Sequence, residues 1–522
     1  MRCHHFLSCA SQRLHSIRLP AKAAMQVLTT LLVFSLCLFP TLATAATPHI
    51  YDVPQAGPPG SQTQTVGNGW DPNATLDIYL DSTDVGLVDT DNNGSFGLAL
   101  RAPTIRQNGL TIQIPKDAVP GQHWITAVER ITQLQAQVAF TVSADWAQFH
   151  YGPERTGFNP FENVLSPESV GNLTTRWTRA GADDSPAVAN GLIYAEFWSG
   201  NCNMAALDAT TGAPLWTYPA CPFGTSAVVN GVVYFSAQDG SLYALNAKSG
   251  AFLWSYFVGG QPERPAVVNG VVYVGGIYYV DALDASTGTL LWNFYIDNSY
   301  PYYGFTVAVA NGVVYAVSTY HGLYALDAGT GALIWQSTAL SYAHDAPVVA
   351  NGIVYGVDSD GIYALNASTG ALIWRYPTFS SGTPAVANGM VYAVDSGYLC
   401  ALDAGTGVLL WQSKTVGVYL SSPAVANGVV YVGSPDNNVY AVNASTGAVL
   451  WSAVTGSAIY NSPVVVNGML YIGSTDGYLY AFGLPNQQMS EKFSPPERPD
   501  PARLTPDWHP QPNSAVTPPL KK

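Results

Sequence analysis

The stretch Tyr363-Ala-Leu-Asn-Ala-Ser-Thr-Gly-Ala-Leu-Ile-Trp374 decides the fold, because the chain keeps returning to it. Asp or Asn, Gly four residues on and Trp four residues after that recurs in phase, ending at Trp216, Trp254, Trp292, Trp335, Trp374, Trp411 and Trp451. Upstream of each copy stands Asn-Gly-x-x-Tyr. This second element occurs eight times, with its glycines at Gly191, Gly231, Gly270, Gly312, Gly352, Gly389, Gly428 and Gly468, 37–42 residues apart. Asn-Gly between apolar runs is a type I′ hairpin signal. Each unit therefore reads as four short strands: Pro-Ala-Val-Ala (A), Val-Val-Tyr-Val (B), Tyr-Ala-Leu-Asp (C) and Leu-Leu-Trp (D). In the C–D turn the Asp or Asn side chain bonds turn amides and Gly supplies a positive φ. A period near 40 built from four strands predicts propeller blades, with Trp filling the wedge between neighbours.

Counting tests whether the ring closes. The eighth unit stops at Tyr480-Ala-Phe-Gly483 with neither a Thr-Gly turn nor a Trp. An orphan segment, Leu173-Thr-Thr-Arg-Trp177, lies before the first unit, and Trp177 is 39 residues ahead of Trp216. Trp177 is thus predicted to supply strand D of the last blade, joining the two ends of the chain so that no sheet edge is left between first and last blades. Composition agrees with an all-β chain rich in tight turns. Charged residues are only 10% of the 522, against a usual quarter or so, while 48% are hydrophobic, which argues against disorder.

The first 46 residues read as an export signal. Arg2, Arg13, Arg18 and Lys22 precede the apolar run Val27–Leu42, and Ala43-Thr-Ala45 offers the small residues of a cleavage site. Without them, 16 basic groups face 34 acidic ones, so nucleic acid and anionic membrane are poor partners. No later run is long and apolar enough to span a bilayer. Three cysteines remain, Cys202, Cys221 and Cys400, with no Cys-x-x-Cys. His-Glu-x-x-His, Gly-x-Ser-x-Gly and the P-loop are absent too. Residues 47–144 alternate strands with turns, at Leu76–Leu80, Gly94–Leu98, Leu110–Ile114, His123–Ala127 and Val138–Val142, which suits an immunoglobulin-like sandwich. Asp89–Gly94 matches half of a calcium loop, but Leu100 stands where the bidentate Glu belongs, so a plain hairpin turn is expected and no metal site. Residues 484–522 hold ten prolines and are expected to be an extended or disordered tail.

The repeats over 145–483, with their Ala-x-Asp-x-x-Thr-Gly-x-x-x-Trp element, resemble the eight-bladed propellers of the quinoprotein (pyrroloquinoline quinone, PQQ) repeat superfamily. The lead-in Trp146-Ala-Gln-Phe and Arg155-Thr-Gly-Phe-Asn-Pro160 resembles secreted bacterial members. That resemblance implies one of two functions: a dehydrogenase holding PQQ and calcium in the central funnel, or a non-catalytic binding or assembly propeller. The adjacent cysteine pair that the alcohol-dehydrogenase type carries over PQQ is missing, as are Cys-x-x-Cys-His and long inter-blade insertions. The expectation is therefore an exported, non-catalytic binding propeller without a cofactor. The alternatives are a PQQ-dependent oxidoreductase, or a carbohydrate-active or lyase-type enzyme on the same scaffold.

Strand parity places the candidate site. In an antiparallel blade the A–B and C–D turns share one face, and the B–C turns and D–A links share the other. The first face repeats from blade to blade as structural turns do, whereas the second varies, and variable loops are where binding groups sit. The residues before each strand A, Asp183, Asp184, Glu263, Arg264, Tyr302, Tyr303, His344, Asp345, Tyr419, Tyr460 and Asn461, are predicted to ring the channel mouth there. Carboxylates among aromatics, with one His and one Arg, suit an envelope or extracellular protein, a peptide or a saccharide. Parity also brings Cys202 and Cys221 to that face, where export permits a disulfide. Cys400 takes a strand C position and is expected to be a buried free thiol.

Overall fold

The structure is a computed structural model that describes residues 47–97, 109–182, 184–198, 201–260, 262, 264–296, 305–340, 342–380, 382–413, 421–485 and 498–504. The expected leader, residues 1–46, lies outside them.

Eight strands come first: β1 (His49–Val53), β2 (Ala56–Gly57), β3 (Gln62–Asn68), β4 (Thr75–Leu80), β5 (Thr83–Asp89), β6 (Leu110–Gln113), β7 (Gly121–Glu129) and β8 (Gln135–Val142). They form two sheets, β1-β3-β6 and β2-β8-β7-β4-β5. Alternate residues fill the core between them, among them Ile50, Leu76, Ile78, Ile112, Ile125 and Phe140. Strand β3 escapes a hydrophobicity reading because its inward residues are threonines. Thr65 Oγ1 donates to Asp52 Oδ1 at 2.6 Å, and burial pushes the Asp52 carboxyl up to about 6. The strand expected over Gly94–Leu98 shrinks to one bridge between Gly67 and Phe96. Gly94 (φ +69°) and Gly97 (φ +72°) sit in the left-handed region and end the extended run on either side of it. The calcium-loop half is a turn, with Asp91 Oδ1 accepting from the Asn93 and Ser95 amides.

β9 (Phe158–Asn159) and β10 (Thr174–Ala180) lead into eight blades of four antiparallel strands each; β10 is the outer strand of the last blade, and β9 adds a fifth, parallel strand to the seventh. Blade 1 is β11 (Ala187–Ala189), β12 (Leu192–Trp198), β13 (Cys202–Asp208) and β14 (Pro214–Tyr218). The pattern repeats up to the last blade, in which β10 pairs with Tyr478–Gly483 and Trp177 stands opposite Ala481. Each innermost strand neighbours the next, and Val464–Val466 returns to β11, closing the ring. The eight hairpin asparagines preceding glycine have φ between +44° and +54°, and their glycines are also positive, as a type I′ turn requires.

Blades lock onto one another through one repeated device. At seven of the eight junctions the indole N–H of a Trp donates to an Ala carbonyl in the next blade's C–D turn, for example Trp335 to Ala367 at 3.0 Å and Trp374 to Ala404 at 2.9 Å; Trp451 donates to the Leu173 carbonyl instead. A strand B tyrosine reaches the same carbonyl, Tyr315 to Ala367 and Tyr355 to Ala404, both at 3.2 Å. The turn glycine lies flat on the indole: a Cβ at Gly370 would fall 2.6 Å from the Trp335 ring. The closing strand obeys the same rule, since Trp177 and Tyr471 both donate to Ala209.

Candidate functional site

The central channel is not an open funnel at the level of the inner strands. The innermost strand of a blade presents an unpaired edge to the axis, and here the lead-in covers that edge in every blade. Trp146 exchanges two bonds with Val188 (2.7 and 2.8 Å) in blade 1. The Ala147 carbonyl accepts the Val228 amide in blade 2, and the Gln148 amide side chain makes both bonds to Val267 in blade 3. Pro153, Glu154, Thr156 and Gly157 carbonyls then accept the amides of Val309, Val349, Val386 and Val425 in blades 4 to 7. Asn159 Nδ2 donates to the Val465 carbonyl in blade 8 at 2.9 Å. Fourteen residues thus visit all eight blades in order, with β9 pairing parallel to Ala424–Ala426 on the way.

The turns of this plug are tight. His150 (φ +52°), Tyr151 (φ +79°) and Arg155 (φ +62°) are left-handed, and Gly157 (φ +64°) has Ala385 Cβ 2.8 Å from where its own Cβ would stand. Arg155 is 1% exposed and donates to the carbonyls of Phe149, Arg264, Pro265 and Val307. The Arg264 guanidinium lies 4.2 Å over the Phe149 ring. Among the described residues, neither nitrogen of the buried His150 ring has a hydrogen-bond partner. Burial, and then the Arg264 and Arg155 charges, push the imidazole down to about 3, so it is neutral at physiological pH.

The plug enters and leaves through the repeated-turn face. Ala144 is paired in both directions with Asn467, and Asp145 accepts from the Asn190 amide. On the way out, Glu162 accepts from the Val164, Leu165 and Gly468 amides, and Asn163 donates to Ala118 of the sandwich. The variable-loop face carries neither entry nor exit.

Five of the rim residues expected from the sequence, Asp183, Glu263, Tyr302, Tyr303 and Tyr419, lie outside the described residues. The others show these contacts among the described residues. Asp184 accepts its neighbour Ser185's amide at 2.6 Å. Asp345 braces adjoining blades: its carbonyl accepts Thr306 Oγ1 and its carboxylate accepts the Gly382 amide. The backbone of His344 pairs with Val357. Arg264 turns inward to the plug. Tyr460 is 54% exposed, beside the half-buried Asn461. What the same face does carry is a ring of exposed aromatics at B–C turns and D–A links, including Trp198, Tyr279, Tyr320, Tyr342, Phe379 and Tyr398. Tyr320 and Tyr342 meet edge to face at 5.6 Å. Sequence reading missed the plug and most of this ring. The lead-in residues were visible only as a non-repeating motif, and the aromatics, apart from Tyr279 and Tyr398 at the start of strand C, sit at different offsets from blade to blade.

Cys202 and Cys221 are bridged on this face, and Cys400 is a buried free thiol whose pKa is pushed up to about 12 by burial. The one cluster of metal-ligand residue types among the described residues, Glu196 with Cys202 and Cys221, has its sulfurs committed to that bridge. The described channel residues do not fit PQQ with calcium at the inner-strand level. Lead-in backbone occupies the inner edges of all eight blades, the charged side chain fully buried among them is the cation Arg155, and the disulfide joins cysteines 19 residues apart.

Residues 172–299, 278–375, 358–421 and 397–487 match the family described as outer membrane protein assembly factor BamB. The dehydrogenase subunit of a quinone alcohol dehydrogenase from Gluconobacter oxydans is 33% identical over 119 residues, 19% of this chain and 15% of that protein. Its counterpart from Gluconacetobacter polyoxogenes is 34% identical over 106 residues, 17% of this chain and 14% of that one. The similarity thus covers far less than half the length of these curated relatives. Among solved structures, BamB from Moraxella catarrhalis has a TM-score of 0.52 at 20% identity, covering 60% of this chain and 99% of that one. A quinohemoprotein alcohol dehydrogenase from Pseudomonas putida has a TM-score of 0.53 at 18% identity, covering 70% and 82%. At these identities the likeness is one of fold. No helix among the described residues is long and apolar enough to cross a membrane.

Proposed function

The chain belongs to the family of outer membrane protein assembly factor BamB, and from that membership and the filled channel we propose an exported, non-catalytic binding propeller that engages an envelope protein or peptide on its variable-loop face. The observation that carries this reading is the plug: with all eight inner edges spent on the lead-in, recognition moves from a buried funnel to the surface. The exposed aromatic ring is the kind of surface that anchors protein contacts. We read the first domain, residues 47–144, as immunoglobulin-like, because sheets β1-β3-β6 and β2-β8-β7-β4-β5 follow the order A-B-E and A′-G-F-C-C′. Residues 1–46 are read as the export signal.

The test is capture of a partner from the native envelope. Replacing Tyr320, Tyr342 and Phe379 with Ala is expected to abolish capture, and replacing Thr330 and Thr369 on the opposite face to leave it intact. Loss of capture only in the Thr330/Thr369 variant overturns the assignment.

The curated relatives favour a second reading, a PQQ-dependent alcohol oxidoreductase. It predicts dye reduction when the exported protein is supplied with PQQ, calcium, a primary alcohol and an artificial electron acceptor. Turnover above a boiled control would replace the first reading with this one.

A further inference from the structure

The far end of the chain returns to the first domain and docks on it. Strands β7 and β8 pair so that Trp124 faces Ala139 and Thr126 faces Gln137, while Ile125 and Ala127, one residue on, point into the core. Trp124, Thr126 and Gln137 therefore share the outer face of the five-stranded sheet. Segment 498–504 lies against that face. The Arg498 guanidinium stacks 4.7 Å over the Trp124 ring, and its Nε donates to Gln137 Oε1 at 2.6 Å. The Gln137 amide nitrogen donates to the Pro499 carbonyl at 3.0 Å and to Thr126 Oγ1 at 2.9 Å. One glutamine thus reads both halves of an Arg-Pro dipeptide and is itself held by a threonine behind it. Thr126 and Tyr79 on this outer face are buried, as in a built recess rather than a wet surface.

Each element has a physical role in peptide recognition. An indole face takes a guanidinium by cation–π attraction. Proline has no N–H to satisfy and a fixed φ, so its carbonyl is offered at little entropic cost. Aromatic-lined surfaces reading proline-rich segments are a general recognition mode. We propose that the outer face of β7 and β8 is a receptor for Arg-Pro peptides and that Arg498–Pro501 is its resident occupant, which a partner carrying the same chemistry displaces. This site is on the sandwich and does not depend on the propeller's function.

The experiment compares the full chain with a chain ending at Pro485, using a fluorescent peptide of residues 495–504 and anisotropy. The shortened chain is expected to bind the peptide at least about tenfold more tightly than the full chain, whose recess is filled. Trp124→Ala or Gln137→Ala in the shortened chain, or Arg498→Ala in the peptide, should each weaken binding about tenfold or more. Trp124→Phe, which keeps the packing and part of the π face, should fall between. Circular dichroism and melting confirm that each variant is folded. Absence of binding to the folded shortened chain overturns the proposal, and so does equal affinity in the full and shortened chains.

Discussion

Replacing Trp177 with Ala tests how the ring is closed. Trp177 sits on β10, opposite Ala481, and packs over Gly212 of blade 1. It is half-buried, unlike Trp374, which is only 8% exposed in the middle of the ring. Half of an indole's surface is roughly 100 Å², worth about 2.5 kcal/mol at 25 cal/mol per Å². Its N–H bond to Ala209 adds about 1 kcal/mol. The Ala209 carbonyl is not orphaned by the change, because the Tyr471 hydroxyl still donates to it at 3.0 Å, so no further desolvation penalty applies. The loss is therefore about 3.5 kcal/mol, toward the lower end of the roughly 3–5 kcal/mol of a fully buried aromatic, the cost expected for Trp374→Ala. For a propeller of this size each kcal/mol moves Tm by roughly 1–2 °C, giving a fall of about 4–5 °C. The assay is calorimetry paired with limited proteolysis. Cleavage near residues 174–180 should appear in Trp177→Ala before any cleavage in the middle blades, and an opened seam should aggregate through the exposed edge of Tyr478–Gly483. A Trp177→Ala protein with unchanged Tm, or a cleavage pattern identical to that of Trp374→Ala, refutes the closure argument.

Three further outcomes follow from the plug and the bridge. Arg155→Met removes four bonds to buried carbonyls and should cost about 3–5 kcal/mol, read as a fall in denaturant midpoint; a change under 1 kcal/mol would mean the plug is not integral to the ring. His150 is held at about 3 when folded against 6.5 when unfolded, so its contribution is intact above pH 6.5 and drains away as pH falls toward 3. Asp281, raised to about 6 by burial, acts in the opposite sense between pH 6 and 3.8. His150→Gln should therefore gain on the parent by up to about 1.4 kcal/mol per pH unit below 6.5, and parallel acid-stability curves would contradict this. Cys202→Ser opens a bridge of sequence separation 19 and should lose about 3 kcal/mol, whereas three free thiols in the parent isolated under oxidising conditions would show that no bridge forms there.

The blades were legible because each repeat carries its own turns, and a type I′ Asn-Gly or a Gly under Trp leaves little conformational choice. Closure was legible because Trp177 keeps the phase of its series. The bridge followed from strand parity alone. The plug was not legible: the fourteen residues from Trp146 to Asn159 reach the eight blades at uneven intervals, so no period marks it, and its bonds are mostly made by backbone that any residue could offer. Strand β3 was lost because Gln62–Asn68 buries threonines rather than aliphatics. The rim was only partly legible. Parity identifies the face, but what a loop end does depends on its neighbours across blades, and Asp345 is spent on Thr306 and Gly382. The outer-face recess was hidden because Trp124 and Gln137 become a pair only when β7 and β8 align.

The weakest junction of the ring is not where the chain ends meet. At seven junctions one Ala carbonyl accepts both an indole N–H and a tyrosine hydroxyl, and the closing junction between blades 8 and 1 has this full set at Ala209. Between blades 7 and 8 it fails, because the eighth unit has no Thr-Gly turn and so no such carbonyl. Trp451 turns instead to the Leu173 carbonyl at 3.1 Å and packs edge-on against Phe482 at 5.2 Å. The Tyr431 hydroxyl, fully buried, finds no partner among the described residues, which costs on the order of 1–3 kcal/mol relative to its seven counterparts. The substitute acceptor precedes β10 directly, so the segment that closes the ring also repairs the junction beside it. Removing residues 173–177 would therefore strip two junctions at once, because Trp177 serves the junction between blades 8 and 1 and the Leu173 carbonyl serves the one between blades 7 and 8.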